Sequence, residues 1–417
     1  MEWSVLLQGT LRDDALATAR SIFQAVVSRP RWRLPPGLLE GHAGFALGFE
    51  HAARALDPGY LEHVGPCLQR ATEALGVLGD PPVPGLHAGL SGIGWTAAHL
   101  AARHPDLDAE ELCSAVDGLL EESLQQRPWP HPCDLRDGLA GIGLYALERA
   151  RHPAGHRLLA RVVLALEELA ERSEQGLTWR MPHRYALLLH GPEFASSRGL
   201  YSLGLAHGVP GALAVLAAAH ALGVERERAG AMLDEAFRWV AHQAAAGDHP
   251  RFPHFLHGTE RFEDARFSWC VGNPGITAVL FWAARLWGHP DWRARTLRWA
   301  EAVAAEALHR APTGSSNLCC GTAGTAHLFL RLFHATGQSV FADAATRWVR
   351  HTLDLRLPGV GIAGFCFEQD PARLRTDLQF GVVGTALLLL AAATPVEPDW
   401  DQAFLFSLSL PARAHEL

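Results

Sequence analysis

Cys270, Cys319, Cys320 and His207 each stand one or two residues ahead of a Gly-x-x-Gly pair, a shared spacing that singles them out among seven cysteines and 23 histidines. Three thiolates make a soft tetrahedral donor set with one position open, and zinc is the ion that suits it. Imidazole titrates near neutrality and can move a proton beside such a centre. Cys67, Cys113, Cys133 and Cys366 lack that spacing and read as core residues. A lone cysteine would read the same way. Three at one register, each at a helix start where the dipole favours a thiolate, point to metal binding instead.

The elements that must position these groups form a repeat. The glycine pair recurs at Gly41/Gly44, Gly89/Gly92, Gly138/Gly141, Gly208/Gly211, Gly272/Gly275, Gly321/Gly324 and Gly381/Gly384. Behind each pair lies an apolar stretch such as GIGWTAAHLAARH or GTALLLLAAA, which reads as a buried helix. Between them lie stretches such as DWRARTLRWAEAVAAEALHR and FADAATRWVRHTLDL, with apolar residues at helical spacing and charges between. These read as outer helices. Seven inner/outer pairs that curve round and close predict an all-α fold, an α/α toroid (barrel) of about fourteen helices, with residues 1–417 as one domain. An open solenoid of helical pairs has the same periodicity. The first glycines are separated by 48, 49, 70, 64, 49 and 60 residues, and the surplus falls in loops at about 174–206 and 246–269. Those segments carry Pro, His and aromatic residues without a helical period, and loops of that length are often functional.

If the inner helices point the same way, the residues ahead of each first glycine ring a common mouth. Immediately before it stand Glu40, Ala88, Asp137, His207, Val271, Cys320 and Phe380; one step earlier stand Leu39, His87, Arg136, Ala206, Cys270, Cys319 and Gln379. His87 and His42 are candidates for contact with substrate. Asp137 and Glu40 read equally well as helix caps or dipole partners.

Composition limits the alternatives. With 48% hydrophobic and 19% charged residues the chain can bury a large core, which excludes a disordered chain or a coiled coil. All 36 basic residues are Arg, so chemistry that needs a lysine ammonium, a Schiff base or a Walker phosphate loop, is excluded. The net charge of -8 and the absence of a basic helix speak against nucleic acid. The longest apolar run, residues 386–393, is well short of the roughly 20 residues that span a bilayer, so no transmembrane segment is expected. The N-terminal stretch MEWSVLLQGTLRDD lacks the pattern of a secretory signal, which makes the cytoplasm the expected compartment. A strained vicinal disulfide between Cys319 and Cys320 is disfavoured in that reducing setting.

Four stretches carry a family resemblance: Ser268-Trp269-Cys270-Val271-Gly272-Asn273-Pro274-Gly275, Leu318-Cys319-Cys320-Gly321-Thr322-Ala323-Gly324, Leu205-Ala206-His207-Gly208-Val209-Pro210-Gly211 and Asp134-Leu135-Arg136-Asp137-Gly138-Leu139-Ala140-Gly141. In this order they resemble the signatures of the lanthionine synthetase C family, the lanthipeptide cyclases of antibiotic biosynthesis, across essentially the whole chain. The resemblance implies a seven-fold toroid with one Zn²⁺ per chain. It also implies a reaction in which cysteine thiols of a ribosomally made peptide add to dehydroalanine or dehydrobutyrine to form (methyl)lanthionine thioether rings. The implied partners are a dehydrated precursor peptide with its leader and a separate dehydratase. By the same resemblance Cys270 and Cys319 match the two cysteine ligands, His207 the active-site histidine and Asp134 the motif aspartate. Arg266 and Trp269 flank the first ligand; Arg266 would polarise the substrate, while Trp269 and His87 would line its pocket. Cys320 stands where well-known members carry a histidine, and Val271 replaces a common aromatic residue. Three readings compete with a cyclase: a zinc-binding relative without that activity, an enzyme adding glutathione to dehydrated proteins, and an α/α-barrel glycosidase using Asp134 and Asp137.

Overall fold

A computed structural model of the chain describes residues 3–29, 34–73, 83–194, 199–244, 249–263 and 266–410. The seven glycine-started stretches form the inner helices α2 (His42–Ala55), α4 (Leu90–Ala101), α6 (Leu139–Glu148), α9 (Pro210–Ala221), α11 (Asn273–Trp287), α13 (Thr322–Thr336) and α15 (Val382–Ala393). Their outer partners are α3 (Val64–Glu73), α5 (Glu110–Ser123), α7 (Pro153–Leu169), α10 (Arg226–Gln243), α12 (Pro290–Ala307), α14 (Ser339–Asp354) and α1 (Gly9–Val27). Each inner helix packs on the next and α15 packs on α2, so the ring is closed and the solenoid alternative falls. The sequence dictates the layers. Every residue of α15 is buried, whereas α14 buries Phe341, Ala344, Ala345, Trp348, Val349 and Thr352, one stripe at three- and four-residue spacing.

Closure uses both ends of the described chain. The outer partner of the last inner helix is the first helix, α1. Ahead of it, the backbone N–H groups of Leu6 and Leu7 donate to Ala392 O, both at 3.1 Å, and Trp3 Nε1 donates to Ala391 O at 2.9 Å. Arg12 Nε adds a bond to Ala393 O, so carbonyls that α15 cannot satisfy internally are capped by the N-terminal segment. After α15, a 3-10 turn at Asp399–Phe404 and the residues just after it plug the space between inner helices, with Trp400 against His51 and His327 and with Trp400, Phe404 and Phe406 buried. Asp401, fully buried, accepts there from Arg331 and Ser407 and pairs with His327.

The long fourth- and fifth-repeat segments are more regular than the sequence suggests. Segment 174–206 contains β2 (Gly176–Trp179), which forms a hairpin with β1 (Ala170–Ser173), then the short helix α8 (His183–His190) and β3 (Leu200–Ser202). Segment 246–269 contains β4 (Phe255–His257) and β5 (Glu260–Phe262). These short strands pair antiparallel in the order β3-β4-β5, which staples the two segments together and so hides from a helical-period search. Residues 195–198, 245–248 and 264–265 of these segments lie outside the described ones.

The glycines set how closely the repeats approach. A Cβ on Gly44 would lie 2.0 Å from Leu38 O and 3.1 Å from Leu378 Cβ, the seam where the first and last repeats meet. Exposed Gly118, in the middle of α5, has nothing within 4 Å of an added Cβ. Gly44→Ala should therefore lower stability by at least ~2 kcal/mol in urea unfolding. Gly118→Ala should raise it by roughly 0.5–1 kcal/mol.

Candidate functional site

The mouth is organised by backbone. The residue two positions before each first glycine donates its N–H to the equivalent residue of the next repeat: Leu39 to His87 O, His87 to Arg136 O, Arg136 to Ala206 O and Ala206 to Cys270 O. The chain continues from Cys270 to Cys319 O and Cys319 to Gln379 O, and Gln379 returns to Leu39 O. Seven bonds of 2.9 to 3.3 Å thus close a ring; of the sequence-predicted residues His87, Cys270 and Cys319 sit on it, His207, Trp269 and Cys320 are next to a ring residue, and Asp134 and Arg266 lie two and four residues off it.

Cys270 and Cys319 occupy adjacent stations of the ring and are buried, and Cys320 follows at the rim. Hydrogen bonding with Cys319 holds Cys270 below the usual thiol range and brings Cys320 down to about 6, while the same contacts push Cys319 well above it. The three thiols therefore form a row with Cys319 between Cys270 and Cys320. Gln379 Nε2 donates to Cys319 Sγ at 3.3 Å, Asn317 Nδ2 to Cys320 Sγ at 3.7 Å, and Ser268 Oγ lies 3.7 Å from Cys270 Sγ. A soft divalent cation suits this donor set. The sulfurs are nevertheless spread out. Among the described residues, the trio whose ligand atoms all lie within 4.8 Å of one another is Asp134, Asp137 and His207.

His207 faces that pair of carboxylates. Its Nδ1 is 3.2 Å from Asp134 Oδ2 and 3.9 Å from Asp137 Oδ2. Asp134 is 1% exposed, and its other oxygen accepts the Asp137 N–H at 2.8 Å. The same turn recurs where Asn317 Oδ1 accepts from the Cys320 N–H and Asp377 Oδ1 from the Phe380 N–H. All three residues stand four positions before a first glycine, a register visible in the sequence and missed there. Asp137, read equally from the sequence as a cap, belongs to the cluster, where burial and the neighbouring Asp134 push its carboxyl up.

Other expected residues fall differently. Trp269 is 1% exposed and donates Nε1 to Phe404 O, so it supports the plug beneath the mouth instead of lining an open pocket. His87 sits in the mouth wall with Nε2 held 2.9 Å from Glu40 Oε1, and Glu40 also pairs with Arg136 and Arg375. His42 lies away from the mouth, in a cleft with His63, Cys67 and Arg70. Arg266 is exposed, acts electrostatically on Cys270 and Cys320, and lines a cleft of about 360 Å³ with Arg251, Arg310 and Glu263. On α8, Tyr185 lies within electrostatic reach of Asp137, and His190 within that of His207 and Arg266.

Glu40 illustrates how tightly this wall is held: the hydrogen bond with His87, then charge from His87 and Arg375, outweighs burial and brings its carboxyl down to about 2. A depressed carboxyl contributes stability that is fully present above its unfolded value and lost as pH falls through the folded one. Glu40→Gln should therefore lower stability by about 1–2 kcal/mol near pH 6. In acid-range thermal melts the gap should shrink as pH falls from about 4.5 towards about 2.

A sequence profile of the lanthionine synthetase C-like protein family matches residues 33–405. In structure the chain is similar to nisin cyclase, with a TM-score of 0.74 at 17% identity over 94% of this chain and 96% of that one. A glycosyl hydrolase family 88 protein from Bacteroides vulgatus overlays at a TM-score of 0.42 and 12% identity, covering 92% of this chain and 98% of that one, which is too loose to carry an argument. No described helix is long and apolar enough to cross a membrane. With the toroid closed and a profile match running nearly its whole length, the chain belongs to the lanthionine synthetase C-like family.

Proposed function

We propose that this protein is a zinc-dependent lanthipeptide cyclase acting on a dehydrated precursor peptide. The observation that carries the reading is the bond from Ala206 N–H to Cys270 O, 3.3 Å, which places the His207 station beside the thiol row on one mouth. Cys270, Cys319 and Cys320 are the residues that would hold the metal. Zinc bound there would supply an open position at which an incoming thiol loses its proton.

The reaction is an addition without a co-reactant. A peptide sulfur bonds to the β-carbon of a dehydroamino acid, the double-bond electrons move to the α-carbon and its carbonyl, and one proton is delivered to the α-carbon. His207 is the group for that delivery, with Nδ1 facing Asp134 and Nε2 left for the proton in transit. Asp134 orients the ring from a turn fixed by the Asp137 N–H. Arg266, which acts electrostatically on Cys270 and Cys320, would polarise the substrate carbonyl. Cys320 in place of an imidazole ligand makes the donor set more electron-rich: three thiolates on Zn²⁺ leave a charge of -1, against zero for two thiolates and a neutral imidazole.

Three outcomes test this reading. Elemental analysis should find about one zinc per chain, lost when Cys270, Cys319 or Cys320 becomes Ala. Incubation with a dehydrated peptide should consume free thiols with no change in mass, and His207→Asn should slow this by about 10²–10⁴-fold while zinc stays bound. Cys320→His should keep zinc but slow addition or narrow the range of peptides accepted. Zinc without any loss of peptide thiols would instead favour a binding relative; transfer of glutathione would favour the thiol-adding one.

A further inference from the structure

We infer that Asp137 is a second carboxylate clamp on His207, a positioning residue that together with Asp134 fixes Nδ1 as the hydrogen-bond donor and presents Nε2 to the mouth. The inference rests on the acid role proposed above for His207. It starts from one turn of backbone: the Asp137 N–H donates to Asp134 Oδ1 at 2.8 Å, which locks the two aspartates together. Their remaining oxygens then converge on one nitrogen, Asp134 Oδ2 at 3.2 Å and Asp137 Oδ2 at 3.9 Å from His207 Nδ1. A contact of 3.9 Å is too long for a hydrogen bond, so Asp137 acts by charge.

Its place in the repeat supports that role. Asp137 stands immediately before a first glycine, the register of His207 and Cys320, and its side chain is 27% exposed where Asp134 is 1%. It is therefore the carboxylate of the pair that faces the mouth. The other charged or titratable groups within electrostatic reach of the cluster are Arg136 and His87, and from α8 Tyr185 and His190, the last also felt by Arg266. Burial and Asp134 raise the Asp137 carboxyl, as two negative groups crowded on one imidazole should.

The chemical consequence follows from the proton that must reach the α-carbon: with Nδ1 held between the two carboxylates, Nε2 is the nitrogen left to deliver it. The same arrangement selects the Nδ1–H tautomer when the ring is neutral.

Asp137→Asn keeps the size and the backbone N–H that caps Asp134 while removing the charge; Asp137→Glu restores the charge. The tautomer of His207 can be read by nitrogen-15 NMR, its signals identified by their loss in His207→Asn. Ring formation on a dehydrated peptide gives a pH–rate profile in parallel. The wild type should show the Nδ1–H form. Asp137→Asn should move it toward Nε2–H and shift the basic limb of the profile down by about 0.5–1 pH unit, with part of the shift recovered in Asp137→Glu. A folded Asp137→Asn protein with an unchanged tautomer and an unchanged limb would overturn the inference and leave Asp137 as a helix-start residue. If the tautomer moves but the wild type forms no rings, the clamp stands and the cyclase reading fails.

Discussion

The arrangement of this molecule depends on a ring of seven backbone hydrogen bonds that passes once through every repeat. Each such bond contributes only about 1 kcal/mol net, whereas an N–H left buried and unpaired costs about 1–3 kcal/mol. Leu39, His87, Ala206, Cys270, Cys319 and Gln379 are all buried, so the cost of a break outweighs the gain of any single bond. The ring thus acts as a lock on register more than as a source of stability. A slip of one residue in any repeat would strand a donor and turn that repeat's mouth residue away.

That lock explains why groups distant in sequence meet. Cys270 and Cys319 are neighbours because their backbones are bonded, and His207 adjoins them because Ala206 bonds to Cys270. The glycines allow it: Gly272, at φ +102°, would place a Cβ 2.2 Å from Arg266 O, so any other residue would push the Cys270 turn out of the ring. Beneath, Trp269 ties the same turn to the plug through Phe404 O. The thiol row is therefore held from the side by the ring and from below by the plug.

Much of this was legible in the sequence because a repeat writes the same position seven times. The glycine pairs located the inner helices and the mouth, and residues counted back from them located Cys270, Cys319, Cys320 and His207. What the count could not supply is side-chain direction. His42 and Trp269 were within reach of the mouth by position, yet one turns to an outer cleft and the other down to the plug. The strands β3, β4 and β5 were hidden for a different reason: three-residue strands carry too little alternation to be read, and the pairing joins segments more than fifty residues apart.

The turn four residues before the glycine separates structure from chemistry within one motif. Asp134, Asn317 and Asp377 all accept the backbone N–H three residues on, so the cap alone needs only a side-chain oxygen and is indifferent to charge. Charge is decided by what the rest of the side chain meets. Behind Cys320 the residue is the amide Asn317, whose Nδ2 and Oδ1 both lie 3.7 Å from the sulfur, so it can donate to Sγ as well as accept from it, which a carboxylate could not. Behind Asp137 the residue is the carboxylate Asp134, whose second oxygen lies 3.2 Å from His207 Nδ1. Around Glu40 the counter-charges are Arg136, Arg375 and His87, which keep that side of the mouth ionised but internally paired. One repeated backbone device thus sets different side chains at the mouth, an amide beside Cys320 and a carboxylate beside His207, while the backbone bond it makes stays the same.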